Sequence, residues 1–556
     1  MVFPVGVRFW CKDLYEHHGA KIINEGRIMG ETIKEGIYVR RTSGLVRELG
    51  LLATLAISMG GAIGAGIHVV VLQAAYQYPG ANVPLAYFLV GLMSLPLAFV
   101  LAYIAGDLPR SSSYYVFVSR NVHPLVGFVF AWGVILSSAF VTGTVTRSFA
   151  VNLGPLLWLA GKAMKAPFLV DASSFFMTDT GILLACFVTL VVYLLVFTFG
   201  AKVYGKFLSI VFLIPIISYI VLIGVFALTP PANVPALYDA TWGEGAYQEI
   251  LNLGAKYGYK PELYLPNLAA TFAVMSGAVF AYQGFDRAAY VAGEVKAPRK
   301  TLMRGLFWGT VALVIIYTAI AFFAYYLYGD WIINYNIAIT KGAKELVINP
   351  PVKSPFVAHL AASLLPNLPV LQIILYIGIL IELWNTPPTR WLISSRTMFA
   401  MSFDRFLPEK ITYVHPKTGS PIVADTIAFL LSIVGVIFAH YYGIYAAAIS
   451  STLFDQFLLL FPFVGAILYP FLREDAYKSG YKYEYKGFPV ITLVGIPALA
   501  IQILILLICV STTAMTALTF GALWWFIGAL VFVYYYYRNL KRGIDPKLIF
   551  GEIPPA

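Results

Sequence analysis

Apolar residues fall along this chain in long runs, and polar segments between the runs carry nearly all of the charge. Twelve runs stand out, at 48–74, 84–106, 124–150, 180–200, 207–229, 267–292, 305–328, 368–395, 421–438, 444–472, 489–510 and 514–537. An α-helix rises about 1.5 Å per residue, so each run is long enough to cross about 30 Å of hydrocarbon. The pattern predicts an all-α membrane protein of about twelve transmembrane helices, numbered here as spans 1 to 12.

Composition agrees. Of 556 residues, 60% are hydrophobic and 12% charged, and mean hydropathy is +0.78. Soluble domains are roughly 45–50% apolar and about 25% charged, because they must cover a wet surface. The net charge of +11 suggests nucleic acid until its distribution is read. Segments on the side of the N-terminus hold 28 Lys and Arg and those on the other side hold 7, with Arg147, Arg287 and Arg390 inside or at the ends of spans. Such a bias marks the cytoplasmic side. It implies a multi-pass protein of the cell membrane with both ends in the cytoplasm, whose basic surface meets membrane lipid rather than nucleic acid.

The segment 1–47 is polar and basic, without the apolar core of a signal peptide, so span 1 is expected to be an uncleaved anchor. Residues 48–472 read as a core of ten helices, 473–488 as a cytoplasmic loop, 489–537 as helices 11 and 12, and 538–556 as a tail. Three outer loops are long, at 151–179, 230–266 and 329–367. The second is expected to hold short helices, and the third an interfacial stretch at 355–365. Cys11, Cys186 and Cys509 are too few for a disulfide framework.

Two spans carry interruptions. Span 1 reads Met59-Gly60-Gly61-Ala62-Ile63-Gly64-Ala65-Gly66, and span 6 reads Met275-Ser276-Gly277-Ala278-Val279-Phe280-Ala281-Tyr282-Gln283-Gly284. Glycine inside a helix costs about 1 kcal/mol relative to alanine. Spans 1 and 6 correspond if helices 1–5 and 6–10 are two repeats, and five helices per repeat inverts the second copy. Glycine-interrupted helices at matching positions of inverted halves point to a transporter's binding site. Close packing through Gly60 and Gly64 is the competing explanation. A broken helix presents amide N–H groups at one half-helix start, suited to a carboxylate, and carbonyls at the other end, suited to an amine or cation. A zwitterionic amino acid needs both.

Several motifs resemble those of the amino acid–polyamine–organocation (APC) superfamily. They are Gly64-Ala65-Gly66-Ile67; Pro109-Arg110-Ser111-Ser112-Ser113-Tyr114 with Arg120, Pro124, Gly127-Phe128 and Trp132; Gly284-Phe285-Asp286 with Gly293-Glu294-Val295-Lys296-Ala297-Pro298-Arg299-Lys300; and Ser395-Arg396, Met398-Phe399-Ala400-Met401, Leu407-Pro408, His415 and Pro421. The similarity covers about residues 45–475. It implies a 5+5 inverted repeat with broken helices 1 and 6 plus two extra helices. It also implies secondary transport of amino acids or related amines, by symport or exchange, with no cofactor and with H+ or Na+ as the coupling ion. Carboxylate contacts would fall on Ala65 and Gly66, within a substrate-binding set of Gly61, Ala62, Gly64, Ala65, Gly66, Phe280, Ala281, Gln283 and Gly284. Amine contacts would fall on the carbonyls of Ala62, Phe280 and Gln283, and an aromatic gate on Phe280. The chain departs from the family at Ala65, where a hydroxyl residue is usual, at His68, at Ser112-Ser113, and in lacking a fifth-helix lysine near Ile214-Pro215. Thr386-Pro387-Pro388-Thr389-Arg390 is expected to interrupt helix 8, which the family usually keeps smooth.

Ionisable groups at membrane depth cost about 2.5–3.5 kcal/mol each on insertion scales and mark functional sites. Here they are His68, Asp286, Glu382, Arg390 and Asp455. Asp286, beside the second break, is the first candidate for gating or coupling, together with Phe280, His68, Glu382 and Asp455. Glu382 is expected to pair with Arg390 across the double proline. Other classes find little support. There is no HExxH, GxSxG or Walker sequence for an enzyme, and a channel or a sensor on a transporter scaffold would be told apart by flux.

Overall fold

In the computed structural model, residues 38–39, 43–342, 345–346 and 356–554 are described. The basic segment through residue 37, with Cys11, and residues 347–355 of the third outer loop lie outside the described residues. Eleven helices are long and apolar enough to cross a membrane. They are spans 1 (Leu51–Gln77), 2 (Val83–Asp107), 3 (Pro124–Ala163), 4 (Asp179–Thr198), 5 (Ala201–Leu228), 7 (Pro298–Tyr328), 8 (Pro369–Phe403), 9 (Ile422–Tyr442), 10 (Ile444–Leu472), 11 (Val490–Thr512) and 12 (Met515–Lys541). Span 6 is a half-helix, Leu268–Tyr282, which continues as two short 3-10 turns, Arg287–Tyr290 and Ala292–Glu294. The fold is that of a nearly all-helical membrane protein, with a short hairpin pairing Glu484–Tyr485 and Phe488–Pro489.

Burial sorts the helices. The apolar window of span 1 is 94% buried and that of span 12 only 17%, so span 1 runs through the centre and span 12 faces lipid. Between helices in lipid, close packing replaces the hydrophobic drive, and small residues provide it. A Cβ on Gly143 of span 3 would strike the backbone of Gly435 in span 9, so these two backbones touch.

Span 3 outruns its predicted end at residue 150 and continues to Ala163. Its extension packs on a short helix, Pro167–Phe176, where Gly154 faces Met177 and Gly161 faces Val170. The loop 230–266 is helical at Val234–Trp242 and Ala246–Lys256. Both join a cap at one end of the bundle with Trp331–Lys341 and Val357–Ser363. His359 centres that cap. It stacks on Trp242 at 4.2 Å, and its Nε2 lies 3.1 Å from the Tyr238 hydroxyl. The stretch around 357–363 is therefore buried under aromatic rings and not laid on a lipid interface as expected.

Span 8 corrects a second expectation. It runs unbroken for 35 residues through Pro387 and Pro388. A proline withdraws the N–H that would bond the carbonyl four residues earlier. One such carbonyl, Trp384 O, accepts instead from the Tyr193 hydroxyl at 3.0 Å. A neighbouring helix thus supplies what the double proline removes. Tyr193→Phe should cost about 1–3 kcal/mol, read as a lower melting temperature in detergent, and an unchanged melt would refute this account.

The face carrying Tyr38 and residues 549–554 is held by buried ion pairs. Arg120 chelates Asp404 at 2.7 and 2.8 Å, and Arg396 bonds Glu294 at 2.8 Å with Asp425 at 3.4 Å. Residues 549–554 close over the first pair. Arg120 reaches the carbonyls of Ile549 and Glu552, Arg110 donates to Pro554 O at 2.6 Å, and the Arg120 guanidinium lies 5.0 Å over the Phe550 ring. Tyr38 donates to Ile549 O and Glu552 O, both at 3.0 Å. Burial pushes its hydroxyl up to about 12, so it remains a donor.

Candidate functional site

The helix of span 1 ends at Ala62. Ile63 is extended at ψ 108, and the chain re-enters a helical turn at Ala65, first as a π turn over Gly66–Val70. The carbonyls this releases find partners on span 8. Thr386 Oγ1 lies 2.5 Å from Ile63 O and 3.1 Å from Gly60 O; a turn earlier, inside the helix, Ala56 O also accepts from Asn385 Nδ2 at 3.3 Å. Tyr87 caps Gly66 O at 2.8 Å. The amides at the new helix start have no such partners. Among the loop and cap hydrogen bonds of the described residues, none is donated by Gly64, Ala65 or Gly66. These N–H groups sit in a buried stretch at a half-helix N-terminus, the arrangement that suits an anion.

Span 6 ends opposite. Tyr282 is its last helical residue, Gln283 is extended at ψ 122, and Gly284 takes φ 121, a value open to glycine. The two breaks touch. A Cβ on Gly284 would lie 2.8 Å from the carbonyl carbon of Gly61, and a Cβ on Gly66 would run into the backbone of Ala281. Of the predicted substrate set, Gly61, Gly66, Ala281 and Gly284 meet directly, while Gly64 faces Thr386. Ala62, Ala65 and Phe280 are buried beside them. The Gln283 carbonyl, an expected amine contact, already accepts one hydrogen bond, from Arg287 at 3.2 Å. The same guanidinium reaches Thr389 Oγ1 at 2.7 Å and Thr386 O at 3.4 Å, so it bridges the second break to span 8. The Ala281 carbonyl likewise accepts one, from Tyr317 at 3.2 Å.

The ionisable residues divide differently from expectation. Glu382 does not pair with Arg390. Eight residues along one helix separate them by about 12 Å of rise. Arg390 instead bonds Asp455 of span 10 at 2.5 Å and Gln283 Oε1 at 3.2 Å, and Asp455 also accepts from Ser137 of span 3. His68 is buried, with Nε2 2.9 Å from the Tyr219 hydroxyl of span 5. Asp286 lines a cavity among spans 2, 3, 6, 8, 10 and 11, together with Gln283, Tyr290, Arg390, Asp455 and Gln456. Neither Asp286 nor its neighbour Arg287 forms an ion pair among the described residues. Around the cavity the ionisable groups are therefore one closed pair, Arg390 with Asp455, one arginine held by neutral oxygens, Arg287, and one carboxylate, Asp286, 8% exposed and turned to the cavity, while Glu382 stands apart from them on span 8, fully buried.

Sequence reading missed Thr386, Thr389 and Arg287 as ligands of the two breaks. It also missed Tyr87 and Tyr317, whose hydroxyls cap carbonyls from spans 2 and 7.

Residues 54–545 match the family model for amino acid permeases. Over 399 residues the chain is 24% identical to a branched-chain amino acid permease of Bacillus subtilis (strain 168), covering 69% of this chain and 74% of that one. Over 405 residues it is 24% identical to an S-adenosylmethionine permease of Candida albicans, covering 70% of this chain and 56% of that one. It is 22% identical over 268 residues to amino acid transporter 1 of Schizosaccharomyces pombe, covering 47% of this chain and 40% of that one. The chain thus spans about three quarters of the Bacillus relative and little more than half of the Candida one. The match begins at the first broken span, takes in the second, and runs to the end of span 12: the chain belongs to the amino acid permease family.

Proposed function

We propose that this protein carries α-amino acids across the cell membrane by alternating access, as a symporter or an exchanger, with both chain ends in the cytoplasm. The observation that carries this reading is the start of the second half of span 1, where the amides of Gly64, Ala65 and Gly66 lack partners beside a second broken helix. A carboxylate supplies what those amides need. The Asp286 carboxylate, free of an ion pair and facing the cavity, offers the complementary charge to an α-amino group. The substrates named for the Bacillus and Candida relatives share this zwitterionic head and differ in the side chain. The orientation is supported by the 28-to-7 distribution of Lys and Arg and by the contact of Tyr38 with residues 549–552 on one face.

The test is counterflow. Proteoliposomes loaded with an unlabelled amino acid should take up the labelled form saturably, over a panel of aliphatic, cationic and S-adenosyl amino acids. Absence of counterflow across the panel would overturn the reading. Within it, Asp286→Asn should raise the half-saturation concentration at least about tenfold, the loss of roughly 1.4 kcal/mol, and leave the melting temperature near wild type, since Arg287 keeps its hydrogen bonds to Thr389, Thr386 and Gln283 and Arg390 keeps Asp455. A large drop in melting temperature with unchanged affinity would assign Asp286 to structure.

A further inference from the structure

Glu382 lies one turn before the span 8 residues that cap the break in span 1, and it is fully buried. Among the described residues neither carboxylate oxygen has a partner in hydrogen-bond geometry, and the one amide near enough to donate, Asn385, gives its Nδ2 to Ala56 O. Among the described residues no cation faces it from the helices packed against span 8. Arg390 is taken by Asp455, and Arg287 by Thr389, Thr386 and Gln283. Arg147 of span 3 acts on Cys186 and Asp179. From span 9, Asp425 is engaged by Arg396, Ser395 and Ser420. From the cap, His359 is engaged by Tyr238 and Tyr335. The groups within electrostatic reach of Glu382 are neutral: Tyr219 of span 5 and Tyr317 of span 7, with Asn385 on its own helix. Tyr219 leads on to His68 of span 1, which is buried and has an unpartnered Nδ1.

A carboxylate without donors or a counter-cation is costly at membrane depth, and a protonated carboxyl is not. A sodium ion would need several oxygen ligands, whereas a proton needs only the carboxyl. We propose that Glu382 is the proton-binding site that couples transport to a proton gradient, loaded in this conformation. The proton binds a carboxylate oxygen as an O–H bond and leaves when the surroundings open to water. Opening is tied to the substrate site, because Asn385 and Thr386 join the same helix to the first break. Exchange of substrate for substrate needs no proton turnover and is independent of this residue.

This inference rests on the proposed function, and one set of liposomes separates the two. Wild-type protein should accumulate labelled amino acid against its gradient when an inward proton gradient is imposed, and a dye inside should report acidification on adding substrate. An inward sodium gradient at matched pH should not drive accumulation. Glu382→Gln, isosteric with the protonated acid, should keep counterflow within about threefold and lose proton-driven accumulation at least about tenfold. Glu382→Asp, which restores a carboxyl, should recover part of it. Counterflow in wild type without proton-driven uptake, sodium-driven uptake, or full proton coupling in Glu382→Gln would each overturn the proposal and leave the transport function standing. Loss of counterflow in the wild type would instead remove that function. If Glu382→Gln fails to fold, Glu382→Asp decides: proton-driven accumulation with an unchanged pH profile would overturn the proposal, and a weakened or shifted profile with counterflow kept would support it.

Discussion

Gly66→Ala is expected to weaken substrate binding roughly ten- to a hundredfold, a larger effect than one methyl group commonly has. The added carbon would meet Ala281 through its Cα, its amide nitrogen at 2.8 Å and its Cβ at 2.6 Å. Backbone cannot turn aside as a flexible side chain does, so spans 1 and 6 must part where their breaks touch. Overpacking of this kind costs about 1–3 kcal/mol. The strain falls on the amides of Gly64 to Gly66, whose aim sets the anion site. Gly224→Ala in span 5 is the control, because an added Cβ there meets nothing within 4 Å. Isothermal binding or a substrate-induced shift in melting temperature reads both variants. Wild-type affinity in a folded Gly66→Ala protein would sink this account of span 1.

Asp455→Asn should be the most destabilising of the mid-membrane substitutions, by about 3–5 kcal/mol. It strands Arg390, whose side chain is 4% exposed and whose ion pair on span 10 is Asp455. Removing both charges together is milder, since a buried pair offsets its own desolvation cost only when complete. Arg390→Met with Asp455→Leu should therefore melt above Asp455→Asn alone. A single Asp455→Asn variant as stable as wild type would mean that Asp286, across the same cavity, has taken over the arginine.

The architecture could be read from sequence because lipid imposes a length on every crossing helix, and twelve runs met it. Both breaks were visible as glycine clusters, for the same reason that makes them breaks. The polar face of span 8 was hidden by its prolines. Pro387 and Pro388 look like an interruption, yet Glu382, Asn385, Thr386, Thr389 and Arg390 recur every three to four residues, the spacing of one helical stripe. That stripe touches span 1 through Asn385 and Thr386 and span 6 through Thr389 and Arg390. The choice of Asp455 over Glu382 as the partner of Arg390 was not legible. It depends on where spans 8 and 10 cross, which no local pattern encodes. Arg287 was likewise read with its neighbour Asp286, although neighbours in a turn need not face each other.

The contacts of residues 549–554 set an order of assembly. Arg110 and Arg120 bond carbonyls 444 and 432 residues further along the chain. Contacts so distant in sequence form late. During synthesis the loop between spans 2 and 3 is made with its arginines uncovered, and Asp404 follows only after eight spans have been made. The last carbonyls arrive only when the ribosome has finished span 12. Until then the early half of the protein carries two arginines whose later partners have still to be made.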